Sequence, residues 1–126
     1  MTAQNLEKHQ WKERLVLVIT SSMKNETFKK QLSELQNDKN GLKERKLIVY
    51  QIEPKKFRTG TDYSGKWYPN KSPYQTFNKA KKAFKVLLIG LDGEVKLEQS
   101  ELLSTVQLFN TIDAMPMRRA EMNNKQ

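Results

Sequence analysis

The sequence predicts an α/β domain in which a central mixed sheet carries helices on both faces. Two short apolar runs, 15–19 and 47–52, flank an amphipathic stretch, as in a β-α-β unit. A third apolar run, 84–91, leads into Asp92-Gly93, a pair that favours a hairpin, and a last amphipathic stretch follows. Apolar runs of this length are typical of strands buried on both faces, so the predicted order is β-α-β, a basic segment, and β-β-α.

The first half of the chain supplies the β-α-β unit. Residues 15–19 predict a central parallel strand, and residues 47–52 predict a second buried strand. Between them, apolar residues recur at positions i, i+4 and i+7 of a helix predicted over 25–38. Asn25 is its expected N-cap and Gly41 its expected end. Strands joined in this way are parallel, and their connection is almost always right-handed.

The second half begins with a candidate short helix over 72–82, which completes the order β-α-β-(α)-β-β-α. Residues 84–91 predict a third strand. A tight turn at Asp92-Gly93 should connect it to a half-exposed edge strand over 94–97.

A last helix is predicted after the hairpin. Ser100 is its expected N-cap, and Pro116 should stop or kink it because proline disfavours helical geometry at the preceding residue. The residues expected on its inward face are Leu102, Leu103, Val106, Phe109 and Ile112.

Length and composition limit the function classes. A chain of 126 residues predicts a single domain, with its core at about 11–122 and short flexible ends. The absence of cysteine excludes disulfides, thiolate metal sites and thiol redox catalysis. No apolar run is long enough to span a membrane, and the first residues lack the pattern of a signal peptide. We therefore expect a soluble chain, either cytoplasmic or exported with its signal removed.

Most of the positive charge lies in one segment, 55–85. It holds nine lysines and arginines against one acidic residue, together with seven of the eleven aromatic residues. This composition is typical of a surface that binds a polyanion or a single-stranded nucleic acid, but an ordered loop also needs such residues to pack. Both interpretations stay open, and we expect the segment to lie outside the sheet as a separate feature. The candidate anion contacts are Lys55, Lys56, Arg58, Lys66, Lys81 and Lys82, and the candidate aromatic contacts are Trp11, Trp67, Tyr68 and Tyr74.

Several segments together resemble a known family. They are Trp11-Lys12-x-Arg14, Gly41-Leu42-x-x-Arg45, residues 84–93 with Lys96, and residues 112–122, which include Asp113, Arg118, Arg119 and Glu121. With the element order of a thioredoxin-like fold, they resemble the domain of unknown function 4174 (DUF4174) family, which is related to the DUDES repeats of vertebrate matrix and sushi-repeat proteins. The resemblance covers about 11–122. It implies a thioredoxin-like fold, often an exported or periplasmic location, and a link to oxidative-stress handling, but no activity.

The residues at the redox position of such a fold are not redox-active here. A redox-active thioredoxin fold has a low-pKa cysteine where the first strand meets the first helix. This chain has Thr20-Ser21-Ser22-Met23 there, and a serine hydroxyl cannot relay electrons. We therefore expect a non-redox domain. Ser21 and Ser22 are candidate anion ligands at the helix N-terminus, or they only cap the helix.

Two further groups complete the candidates. His9, the only histidine, precedes the first strand and is expected to be exposed, which argues against serine hydrolysis and against a metal site. No cofactor is implied. Asp113 and Arg118 predict a latch that fixes the C-terminal tail, whereas the alternative makes Arg118 or Arg119 a hook for an anion.

The predicted function is binding. The first hypothesis is a non-catalytic module, monomeric or weakly associating, that recognises a polyanion or an anionic protein through 55–85. The alternative is a cysteine-free enzyme or oxidative-stress protein with a pocket near Ser21, Ser22 and Trp11.

Overall fold

The computed structural model shows a mixed six-stranded sheet with helices on both faces, and it describes residues 8–124. The strands are β1 (Arg14–Thr20), β2 (Leu47–Ile52), β3 (Lys56–Thr59), β4 (Tyr68–Pro69), β5 (Phe84–Ile89) and β6 (Val95–Gln99). The helices are α1 (Glu26–Gln36), α2 (Lys39–Glu44), α3 (Ser72–Phe77), α4 (Thr105–Asp113) and α5 (Pro116–Asn124). The predicted flexible ends fall partly on 1–7 and 125–126, outside the described residues, and the single domain stays a prediction.

The sheet order is β4-β3-β2-β1-β5-β6. Strands β1 and β2 are parallel, with Arg14 opposite Leu47 and Ile19 opposite Ile52, and every other pair is antiparallel. All seven residues of β1 are buried, as the continuous apolar run predicted for a central strand. The β-α-β unit and the C-terminal β-β-α unit are therefore both confirmed.

Alternating side chains of β1 build a separate apolar cluster on each face of the sheet. Val16 and Val18 belong to the cluster that contains residues of α1, α2 and α4. Leu15 and Leu17 belong to the cluster on the other face, against which Tyr74 and Phe77 of α3 pack. The prediction of helices on both faces is confirmed.

The connection between β1 and β2 contains two helices instead of one. Asn25 caps α1 as predicted, because its side chain accepts a hydrogen bond from the Phe28 N–H at 2.9 Å. Gly41 does not end this helix, and that prediction is wrong. Helix α1 ends at Gln36, Asp38 caps α2, and Gly41 lies inside α2. A Cβ at Gly41 would lie 2.6 Å from the Phe109 ring, so glycine permits this close packing.

The last helix begins later than predicted. Its N-cap is Ser104, whose side chain accepts from the Gln107 N–H at 3.1 Å, and not Ser100. Leu102 and Val106 are consequently exposed, while Leu103 is buried before the helix begins. Leu108 and Ile112 are the buried residues of α4.

Pro116 interrupts the C-terminal helical segment, as expected. Helix α4 stops at Asp113, and α5 starts at Pro116 itself. Proline is well suited to the first position of a helix, because that N–H has no partner within the helix.

The hairpin loop is longer than the two-residue turn predicted at Asp92-Gly93. The Gly93 N–H donates to the Gly90 carbonyl at 3.0 Å, and the Gly90 N–H donates to the Glu94 carbonyl at 2.9 Å. Leu91 and Asp92 are the central residues, and Gly93 follows with φ +83°. This is the three-residue loop in which a left-handed glycine restores the strand register.

The basic segment supplies β3 and β4, which the prediction of a separate outer feature missed. Both strands extend the sheet beyond β2, and neither lies between the strands predicted from apolar runs. The helix predicted over 72–82 ends at Phe77. The Asn78 side chain donates to the Lys82 carbonyl and accepts from the Lys82 N–H, both at 2.9 Å, and so closes a loop before β5.

Candidate functional site

The β1–α1 junction uses its serines to shape the turn. The Thr20 hydroxyl donates to the Ser22 carbonyl at 2.6 Å, and the Ser22 hydroxyl accepts from the Lys24 N–H at 3.1 Å. The Ser21 N–H donates to the Ala83 carbonyl at 3.1 Å. Both serines are exposed to solvent. The junction contains no thiol. The fold therefore lacks the group on which dithiol chemistry depends.

Four exposed lysines lie at the end of the sheet where β1 and β2 finish. We call Lys55, Lys71, Lys81 and Lys82 the basic edge. The Asn70 N–H bonds to the Lys55 carbonyl at 2.8 Å, which brings the chain before Lys71 beside the β2–β3 turn. Lys81 and Lys82 precede β5, which starts opposite Thr20. From β4 to β5 there are four strand spacings, so the row extends about 19 Å.

None of the basic-edge lysines forms an ion pair with another of the residues 8–124. Ser21 lies in the same region, since its N–H bonds to Ala83, the residue that follows Lys82. The predicted anion contacts Lys55, Lys81 and Lys82 thus lie at the same end of the sheet as the two serines. In α/β sheets the ends of parallel strands are a common place for ligands to bind.

The remaining predicted contacts of the basic segment pack on each other. The Lys56 Nζ atom lies 4.7 Å, and the Arg58 guanidinium carbon 4.3 Å, from the centre of the Trp67 ring. Lys66 lies over Tyr68, whose ring stacks on Phe57 with centroids 5.7 Å apart. Such cation–π contacts stabilise the segment internally. These contacts agree with the interpretation as an ordered, packed loop, which stays a prediction for this part.

Arg58 is not available to a partner, contrary to its prediction as an anion contact. It is 3% exposed, and its Nε–H donates to the Gln51 side chain at 2.8 Å while Nη1 donates to the Tyr63 carbonyl at 3.0 Å. Burial lowers the pKa of Arg58, and the charge of Asp62 partly opposes that shift.

The predicted aromatic contacts fall in different places. Tyr68 is half exposed, and Tyr63 is also exposed. Tyr74 is partly buried and packs against the apolar cluster on the α3 face. Trp11 is 63% exposed, but it precedes β1 whereas Ser21 follows it. Seven strand residues separate them by about 23 Å, so the alternative pocket of Trp11 with the serines does not form.

A cluster of arginines and carboxylates lies at the opposite end of the sheet. Arg45 donates to both carboxylate oxygens of Asp113, from Nε at 3.1 Å and from Nη2 at 2.9 Å. Arg118 donates from Nε to Asp113 at 3.0 Å, and Glu121 lies 3.5 Å from Arg118 and 3.3 Å from Arg14. These residues belong to three segments that carry the family resemblance, and the fold brings them together.

Asp113 is ionised in this cluster. Burial would raise the pKa of Asp113, but hydrogen bonds from Arg45 and Arg118 outweigh burial and hold the pKa below its ordinary value. Burial likewise would lower the pKa of Arg118, but the contact with Asp113 raises it. Charge-assisted, bidentate hydrogen bonds of this kind are stronger than those between neutral groups.

The two arginines of the predicted hook are placed differently. Arg118 is 2% exposed, so it cannot face a ligand outside the protein, and that alternative is wrong for Arg118. It does contact Asp113, as the latch requires, although a latch function stays a prediction. Arg119 is exposed and forms no ion pair with the residues described by the structure.

His9 is buried, contrary to prediction. It is 9% exposed and lies between two polar side chains: its Nδ1 is 2.5 Å from Glu13 and its Nε2 is 2.6 Å from the Tyr50 hydroxyl. Burial and the nearby Glu13 charge raise the pKa of Tyr50, so the phenol stays protonated. The arrangement fixes the chain before β1. Tyr50 lies 41 positions after His9, so this contact could not be inferred from the sequence.

A second group of lysines was not predicted from the sequence. Lys12, Lys39, Lys43 and Lys46 line a groove of about 660 Å³ beside Glu13. The sequence outside 55–85 is nearly neutral in total, which concealed this group. The signal that could have found part of it is the i, i+4 spacing of Lys39 and Lys43.

Two classes of site are absent from the described part of the chain. Among residues 8–124 no three histidine, cysteine, aspartate or glutamate side chains come together in a way that could hold a metal ion. None of the helices within this range has the length and apolar character needed to cross a membrane.

The sheet order and the β1–α1 junction define a thioredoxin-like α/β protein without a redox cysteine. The structure is similar to that of the reduced 2-Cys peroxiredoxin of Plasmodium vivax, with a TM-score of 0.61 and 11% sequence identity over 94% of this chain and 90% of that chain. This likeness concerns the fold alone. The chain belongs to the family described as domain of unknown function (DUF4174), whose model matches residues 5–121. No curated protein matches it.

Proposed function

We propose that this protein is a non-redox thioredoxin-like binding module that recognises an anionic partner through the basic edge. The observation that carries the proposal is the row of Lys55, Lys71, Lys81 and Lys82, exposed and without carboxylate partners among the described residues. The family resemblance extends the proposal to an exported protein with a role in oxidative-stress handling. The proposed module is a monomer or a weak oligomer.

Electrostatics favours a partner with repeated charges. Four cations spread over about 19 Å lie on average about 6 Å apart, which is within the screening length of about 8 Å at physiological salt, so neighbouring lysines repel each other. A partner with repeated negative charges relieves this repulsion along the whole row. A polyanion that contacts all four releases its condensed counterions. For a single-stranded nucleic acid, each phosphate contact contributes about −0.7 to the slope of log K against log salt. Four contacts therefore predict a slope near −2.8.

Exposed rings near one end of the row add a second kind of contact. Tyr68 lies in β4, three residues before Lys71, and about half of its side chain is exposed. A base or another flat group can stack on such a ring, which is worth about 1–3 kcal/mol per base in single-strand binders. An unbranched acidic polysaccharide would use the lysines alone.

The test compares two variants with the same loss of charge. In K55Q/K71Q/K81Q/K82Q the basic edge is neutralised, and in K12Q/K30Q/K39Q/K43Q four exposed lysines elsewhere are neutralised. Fluorescence anisotropy with a labelled oligothymidylate and with heparin, from 25 to 300 mM salt, measures Kd for each protein.

We expect the basic-edge variant to bind at least tenfold more weakly and to lose most of its salt dependence, while the matched variant stays close to the natural protein. Equal losses in both variants would show that only net charge matters. Absence of binding to either polyanion at low salt would also refute the proposal.

A further inference from the structure

We propose that the groove lined by Lys12, Lys39, Lys43 and Lys46 binds an acidic peptide segment, which adds to the free edge of β2 as a short antiparallel strand. The groove has a volume of about 660 Å³. It lies at the end of the sheet where β1 and β2 begin, because Lys12 precedes β1 and Lys46 precedes β2. The inference is independent of the proposed function, since the basic edge lies at the opposite end of the sheet.

Only half of the β2 edge is covered by β3, which pairs with Tyr50–Ile52. Beyond these pairs, the Gly60 N–H donates to the Val49 carbonyl at 2.8 Å. The chain then doubles back instead of following β2, because the Asp62 carbonyl accepts from the Gln51 side chain at 2.8 Å. Within the described range, no strand lies beside the first residues of β2 on this side.

The backbone of Leu47 points toward the uncovered side. The Arg14 N–H donates to the Lys46 carbonyl at 2.8 Å, so the backbone of Lys46 faces β1. Backbone groups of successive residues in a strand point to opposite sides, so the Leu47 N–H and carbonyl face away from β1. Leu47 and Val49 both line the groove, which therefore reaches this edge.

The positive charge of the groove is mostly uncompensated. Lys12, Lys39 and Lys43 are exposed and form no ion pair with another of the residues 8–124. The fourth lysine lies 3.8 Å from a carboxylate. Glu13, the acidic residue in the lining, already contacts the His9 ring at 2.5 Å. A segment that carries several carboxylates is therefore complementary to this groove.

Strand geometry decides where the acidic residues of the segment lie. In an antiparallel pair, the residue opposite Leu47 exchanges both backbone bonds with it and places its side chain on the same face. Leu47 shares its cluster with Leu42 of α2, the helix that carries Lys39 and Lys43. Ile48 packs against the cluster on the other face. The segment should therefore alternate acidic residues, on the α2 face, with apolar residues.

The dimensions favour a short peptide over other polyanions. Residues 47–49 line the groove and extend about 10 Å along β2. Strand β3 is antiparallel to β2, and a segment that continues its line keeps that direction. Peptides bind to sheet edges through their regular N–H and C=O groups, which nucleic acids and polysaccharides lack.

The test measures Kd by fluorescence anisotropy with a labelled peptide, Glu-Val-Glu-Val-Glu-Val-amide. Two further probes have the same charge but carry N-methyl groups, on all three glutamates or on all three valines. We expect the methylated glutamates to weaken binding at least tenfold, because their N–H groups face Leu47. The methylated valines should bind like the parent peptide, because their N–H groups point away from β2.

Two protein variants with the same loss of charge locate the site. K39Q/K43Q should bind the parent peptide at least tenfold more weakly, while K81Q/K82Q, in the basic edge, should stay close to the natural protein. In ¹H–¹⁵N spectra, the peptide should shift mainly the amides of 47–49 and 59–61.

Equal effects of the two methylation patterns, or a loss with the methylated valines alone, would overturn the proposal. Equal binding by the two lysine variants would do the same, as would amide shifts centred on the basic edge. A second copy of this chain at the edge would appear in sedimentation as self-association without peptide, and would also refute a peptide site.

Discussion

Arg45 and Asp113 join two parts of the chain that lie 68 residues apart. Two hydrogen bonds of 3.1 and 2.9 Å connect the guanidinium to the carboxylate, and the centre of the Phe109 ring lies 4.0 Å from the guanidinium carbon. Arg45 directly follows α2, and Asp113 is the last residue of α4. The pair therefore ties the β-α-β unit to the C-terminal helices, and its removal has consequences that can be measured.

Asp113→Asn should destabilise the protein by about 1–3 kcal/mol at pH 7, because Arg45 and the buried Arg118 both lose a carboxylate acceptor. Urea denaturation measures the free energy of unfolding. The control is Glu101→Gln, an exposed carboxylate without an ion pair among the residues described. A similar effect of both substitutions would show that the Asp113 contacts contribute nothing specific.

The same pair predicts a pH dependence. The pKa of Asp113 is lower in the folded protein than the ordinary value of about 3.9, so the folded state binds this proton less readily than the unfolded chain. Its contribution is therefore complete above the unfolded pKa and disappears as the pH falls through the folded pKa. The stability difference between the natural protein and Asp113→Asn should be constant from pH 7 to about 5 and shrink below about 4. A constant difference down to pH 2 would contradict it.

The strands and the first helix cap could be predicted because they depend on residues within a few positions of each other. The bounds 47–52 agree with β2, and Asn25 caps α1. The start of the last helix could not be predicted in this way. It depends on Gln31, which lies 72 residues before Leu103 and holds the chain extended there.

For the candidate site, composition identified the basic segment but could not separate exposed cations from packed ones. Arg58 lies opposite Gln51 in the β2–β3 pair, and this register buries its guanidinium against the Gln51 side chain. Lys81 and Lys82 stay exposed because they fall in the loop before β5. Strand pairing therefore decides which cations can meet a partner, and the sequence pattern alone does not reveal it.

Gly41→Ala should destabilise the protein by about 1–3 kcal/mol, although alanine is the better helix former. The new Cβ would lie 2.6 Å from the Phe109 ring and 2.7 Å from the Asp38 carboxylate, closer than either can tolerate. Adding Phe109→Leu should recover part of the loss by removing the ring. Asn40→Ala, at an exposed position of the same helix, is the control and should not destabilise. If the two alanine variants unfold at the same urea concentration, the tight packing at Gly41 is refuted.

Gln31→Leu should destabilise the protein by about 2–4 kcal/mol, because the Gln31 side chain is fully buried and bonds to both backbone groups of Leu103. Its amide donates to the Leu103 carbonyl at 2.8 Å, and its oxygen accepts from the Leu103 N–H at 2.7 Å. Leucine has a similar size but leaves both backbone groups unpaired. Hydrogen exchange at the Leu103 amide should accelerate more than at core amides of β1, since the tether is local. The control Gln36→Leu, at the exposed end of α1, should leave both the stability and this exchange rate unchanged.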